Sequence, residues 1–98
     1  MKNNYQERYP NSRILFQFSK QALQYKFSEK VKVIDQDVGA ILGYDPADCS
    51  HWKKGKKNIK NCKSLHTLAQ TLQVDHDLII ALARGKITLE EALFESSY

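Results

Sequence analysis

Residues 35–55, DQDVGAILGYDPADCSHWKKG, decide how this chain folds. The apolar positions fall at helical spacings, and the breaks fall where residues that start or stop helices stand. Asp35 is placed to cap a helix over residues 36–42 whose apolar face is Val38, Ile41 and Leu42. Gly43 ends it, because glycine enters the left-handed conformation of a helix C-terminus at little steric cost. Asp45 then caps a second helix, with Pro46 at its first position, where a missing N–H costs nothing. Asp48 stands three residues after that cap and suits the positive pole of the helix. Cys49 and Trp52 give the helix an inward face, and Gly55 stops it.

Outward from this stretch the pattern stays helical. Upstream, Ala22, Leu23, Phe27 and Val31 share a helical stripe, which predicts a helix over residues 19–33 with Ser19 as N-cap. The run RILFQF at 13–18 is too short for its period to assign, so a short N-terminal strand and the entry to that helix both stay open. Residues 1–12 show no period and include the turn-like Pro10-Asn11-Ser12; they are expected to form a loosely ordered tail. Downstream, Cys62, Leu65, Leu68, Ala69 and Leu72 mark a helix over 61–72. Asp75 caps the next, which carries Leu78, Ile79, Leu82 and Ala83 and ends at Gly85. Thr88 and Glu91 have capping-box spacing and open a last short helix through Phe94. The expected fold is all-α, five to six short helices in a single domain over 13–98.

The bulk composition agrees. Ninety-eight residues at 42% hydrophobic suffice for one modest core and exclude wholesale disorder. No apolar run approaches the roughly 18–20 residues of a membrane span, and the polar start MKNNYQERYPNSR is no secretory signal. With two cysteines and no export signal, the expected location is the cytoplasm. Charge is distributed unevenly. Residues 51–63 hold Lys53, Lys54, Lys56, Lys57, Lys60 and Lys63 and no acid, whereas residues 64–98 hold two cations and five acids. A basic stripe on a nearly neutral body points to a local anion-binding surface; a solvated lysine-rich loop is the plain alternative.

In these residues the chain resembles the Cro/cI-type (XRE) helix-turn-helix family, whose members are lambda-repressor-like bundles. The likeness covers residues 36 to about 80. It rests on apolar Val38 and small Gly39 where two helices touch, on Gly43 followed by Tyr44 in the turn, and on Cys49 and Trp52 facing inward. Crossed helices with so short a joint are expected to reject large side chains at Gly39 and Gly43. Trp52-Lys53-Lys54-Gly55-Lys56 is similar to a recurring W/I-x-x-G-K, residues 64–74 look like the family's fourth helix, and residues 75–82 like its fifth.

The resemblance implies double-stranded DNA as partner, no cofactor, a transcription-regulating role and a nucleoid-associated location. It lays residues 45–54 in the major groove. Pro46, Ala47, Asp48 and His51 would face bases, and Gln36, Lys53, Lys54, Lys56, Lys57 and Lys60 would face phosphates. It also implies a homodimer on two half-sites; the apolar residues of 13–18 or of 88–94, left over outside the expected core, are the contacts expected for it. Direct readout is expected to be weak. Pro46 has no side-chain donor and Ala47 offers only a methyl, while Asp48 can accept from cytosine and His51 can donate to guanine. Asp35 stands where the family commonly has glutamine. These departures motivate a rival: a protein-interaction module on the same scaffold that has lost specific readout.

Other constellations are weaker. Cys49, His51, Cys62 and His66 suggest zinc, yet Cys49 and His51 are two apart on one helix and point in different directions. No nucleophile elbow, phosphate-binding glycine loop or paired carboxylate motif is present, so neither an enzyme, a metal nor a small-molecule substrate is expected.

Overall fold

In the computed structural model, residues 9–27, 31–59 and 61–96 are described. They form six helices: α1 (Ser12–Phe27), α2 (Asp35–Ile41), α3 (Pro46–Lys53), α4 (Cys62–Leu72), α5 (His76–Arg84) and α6 (Leu89–Glu95). The described residues contain no strand, and no helix among them is long and apolar enough to cross a membrane.

Helix α1 is the axis of the bundle and packs against each of the other five helices. Ser12, Leu15, Phe16, Ser19 and Leu23 form one buried stripe; Phe18 and Ala22 widen it because neighbours surround the helix. The run at 13–18 is therefore helix, not strand. Leu15, Phe16 and Phe18 lie inside, which removes this run as a dimer contact. Ser19 is buried in mid-helix rather than capping its start. The C-terminal end also differs from expectation. The helix stops at Phe27, and Phe27 and Val31 are about half exposed instead of joining the core.

The expected tail enters the core at residue 9. Tyr9 is buried, and the Arg84 guanidinium stands 5.7 Å over its ring. Asn11 donates its backbone N–H to the Ala83 carbonyl at 3.0 Å and its side-chain amide to the Leu82 carbonyl at 3.1 Å. The Ala83 carbonyl is one that the last turn of α5 cannot satisfy within the helix, whereas the Leu82 carbonyl already takes the Gly85 N–H at 3.1 Å and accepts Asn11 as a second donor. The remainder of the expected tail, residues 1–8, lies outside the described residues.

Trp52 sits at the centre, fully buried, edge-on to Phe16 at 5.0 Å and to Tyr44 at 5.8 Å. Its indole N–H donates to the Ser12 carbonyl at 2.9 Å. The Ser12 hydroxyl accepts the Ile59 N–H at 2.9 Å and donates to the Tyr9 carbonyl at 3.3 Å. One serine at the start of α1 thus holds α3, the loop after it and the segment before α1. That loop, expected to be basic and solvated, returns to the core through buried Ile59.

Helices α2 and α3 touch at Gly39 and Cys49. A Cβ on Gly39 would sit 2.7 Å from both the Cβ and the Sγ of Cys49, so the steric expectation holds there. At Gly43 it does not: nothing lies within 4 Å of an added Cβ, and the requirement is the positive φ of 74°. The other boundaries follow sequence chemistry. The Asp45 carboxylate accepts the Asp48 N–H at 2.8 Å. Thr88 and Glu91 exchange hydroxyl and carboxylate for each other's N–H at 3.0 and 2.8 Å. Helix α2 is the exception. Asp35 is its first residue, and the Ile34 N–H is taken by the Asp37 carboxylate at 2.9 Å. On α4, Cys62 is exposed while Leu65, Leu68, Ala69 and Leu72 are buried.

Two substitutions test this packing by urea unfolding. Ser12→Ala strands the buried Ile59 N–H and is expected to cost about 1–3 kcal/mol. Gly39→Ala ordinarily stabilises a helix by roughly 0.5–1 kcal/mol; here the clash with Cys49 reverses the sign, with a net loss of about 1–3 kcal/mol.

Candidate functional site

Helix α3 turns Cys49 and Trp52 inward, which fixes what it shows to solvent. Pro46, Ala47, His51 and Lys54 are exposed, and Asp48 is half-buried. Ala47, His51 and Lys54 are spaced by four and three residues, so they share one outward stripe. After Lys54, Gly55 takes φ of 82° and the chain folds back. The N–H groups of Lys56 and Lys57 both donate to the His51 carbonyl, at 2.8 and 3.1 Å, so the lysine loop is seated on the end of the helix.

The residues expected to face phosphates divide into two groups. Lys54 and Lys56 are exposed and form no ion pair with any described residue. Gln36, Lys53 and Lys57 are engaged internally. Gln36 donates its side-chain amide to the Tyr44 carbonyl at 3.0 Å, and the Lys57 ammonium stands 5.2 Å from the centre of the Tyr44 ring. Lys53 donates to an Asp35 oxygen at 2.6 Å. Lys60 lies outside the described residues.

Two further cations of α1 border this surface. Arg13 packs beside Gly55, its Cβ 3.4 Å from where a Cβ on that glycine would stand. Lys20 donates to the second Asp35 oxygen at 2.6 Å. Arg13, Gln17, Lys20 and Gln24 recur at helical spacing and, with Asp35 and Lys53, line a groove of about 460 Å³. Starting α1 at Ser19 cuts this stripe in half, and none of its four residues is among those expected here. The signal was present as polar residues four, three and four apart.

Asp35 ties three helices together, with Lys20 on α1 and Lys53 on α3 each taking one carboxylate oxygen. The hydrogen bond from Lys20, then that from Lys53, holds its pKa below the ordinary 3.8; partial burial opposes them. The same contact raises Lys53. The Cys49 thiol donates to the Asp35 carbonyl at 3.2 Å, and burial pushes its pKa up, so it is neither a ready metal ligand nor a nucleophile. The other members of the zinc set are scattered: His51 and Cys62 are exposed, and His66 stacks edge-on against His76 at 5.1 Å. Among the described residues no three His, Cys, Asp or Glu side chains are placed to hold a metal ion.

Compared with protein-family models, with curated proteins and with solved structures, the chain gives no match.

The doubly held carboxylate predicts an acid-sensitive contribution. Because its folded pKa is lowered, the contribution is complete above the ordinary value and is lost as pH falls through the folded value. Asp35→Asn should lower the urea midpoint at neutral pH. The gap to the parent chain should narrow once the pH falls below about 4. A gap independent of pH would exclude this origin.

Proposed function

We propose that the chain binds double-stranded DNA and serves as a transcription regulator or as the DNA-binding module of one. The observation that carries this reading is the exposed stripe Ala47–His51–Lys54, which runs directly into Lys56 on a helix locked from behind by Cys49 and Trp52. The likeness of residues 36–80 to Cro/cI-type domains supports it. In this reading α3 lies in the major groove. Lys54 and Lys56 grip phosphate, and Arg13, beside Gly55, joins them.

The chemistry of the stripe favours gripping over reading. His51 can donate to guanine and Asp48 can accept from cytosine, but neither makes the bidentate base contact that discriminates strongly. Ala47 offers a methyl to thymine, and Pro46 offers no side-chain donor. Affinity then comes chiefly from counterion release at the lysines. Lys53, Lys57 and Gln36 contribute less, since each must first leave an internal partner.

Fluorescence anisotropy with random-sequence duplex DNA across a salt series tests this. Affinity should fall steeply with salt. Each of Lys54→Ala, Lys56→Ala and Arg13→Ala should lower the slope of log affinity against log salt by about 1. Lys53→Ala should lower it less. Absence of binding at low salt would sink the reading. Binding indifferent to Lys54→Glu with Lys56→Glu would place the DNA on another surface.

A further inference from the structure

We propose that α5 and α6 form a second, separate binding face whose occupant is a basic amphipathic helix of a partner protein. Between these helices runs an open groove of about 710 Å³. Its apolar lining is Leu78, Ala81, Ile87 and Phe94. Phe94 is 79% exposed, the most exposed large hydrophobic side chain among the described residues. An aromatic ring left in water beside an aliphatic trough marks an interaction surface rather than a core.

The rim identifies the occupant. Asp75, Asp77, Glu90, Glu91 and Glu95 line the groove, all exposed, and no cation lines it. Asp75 and Glu91 also hold helix-start N–H groups; Asp77, Glu90 and Glu95 accept no side-chain hydrogen bond from a described residue. An apolar trough between carboxylates matches a helix with aliphatic anchors at i, i+3, i+4 and i+7, flanked by lysine or arginine. Opposite charge would steer such a helix in and fix its register.

The same rim disfavours the other occupants. A two-fold pair of this chain would set identical acidic rims against each other. Phosphates of nucleic acid or of an anionic lipid surface would be repelled. The chain's own lysine surface, with Ala47, His51, Lys54 and Lys56 outward, lacks the large aliphatic anchors the apolar lining requires. The two faces share no residue, and α1 packs both against α3 and against α5 and α6. The inference therefore does not rest on the DNA reading.

The test uses the whole chain and two fluorescein-labelled amphipathic helical peptides. One is built of leucine and lysine; the other carries glutamate in place of lysine on the same leucine face. The lysine peptide is expected to bind saturably with one-to-one stoichiometry, and the glutamate peptide not to bind. Phe94→Asp, and separately Glu90→Lys with Glu95→Lys, should each weaken binding by about tenfold or more. Lys54→Glu with Lys56→Glu should leave it unchanged. All these positions are exposed, and retained helical circular dichroism verifies folding. Equal binding of both peptides, or binding indifferent to Phe94→Asp, would overturn the proposal. So would a dimer in sedimentation that Phe94→Asp dissociates, because a second copy would then be the occupant.

Discussion

The arrangement depends on Ser12. Its carbonyl takes the indole N–H of Trp52 and its hydroxyl takes the N–H of Ile59, so the carbonyl and the hydroxyl of one buried residue both hold the region around α3. The indole has one N–H and one direction in which to give it. Once that bond is made against α1, the rotation of α3 about its axis is set, and with it the residues that face water. Cys49 against Gly39 fixes the other side of the helix. The outward stripe is what remains after two inward constraints have been met.

Helix boundaries were legible wherever local chemistry decides them. Asp45, Asp75, and Thr88 with Glu91 cap the helices their spacing indicates, and Gly43, Gly55 and Gly85 all take positive φ at helix ends. Inward positions were legible in α3 and, apart from exposed Cys62 and half-buried Leu78, in α4 and α5. Helix α1 was not. Its start falls at Asn11 and Ser12, which beside Pro10 read as a turn, and its enclosure on many sides blurs the single apolar stripe by which amphipathic helices are recognised. Ser19 has the chemistry of a cap but sits in the interior, because tertiary packing outweighs a local preference worth about 1 kcal/mol.

The candidate site was legible as a set of exposed residues and illegible as a set of available ones. Lysines look alike in a string of letters. The fold distinguishes Lys53, held by Asp35, and Lys57, held against Tyr44, from Lys54 and Lys56. It also brings Arg13 beside Gly55 across a sequence gap that no short-range pattern bridges. Asp35 shows the same limit. Its letter and position suggest a cap, whereas its carboxylate is committed to two ammonium groups on other helices. Long-range electrostatics of this kind arises only once the topology exists.

Asn11 ties together parts of the domain that lie far apart in sequence. Its amide closes on the Leu82 carbonyl across 71 positions of sequence, and its backbone N–H on Ala83 beside it. A ribosome therefore releases the axis of the bundle long before the segment that clasps it. Until α5 emerges, α1 lacks one of the five helices that pack against it, while α2, α3 and α4 arrive one after another. Small helical proteins that fold through neighbouring contacts are fast. Here Asn11 joins the first described residues to the second-last helix, a contact of long sequence separation that neighbouring contacts alone do not supply.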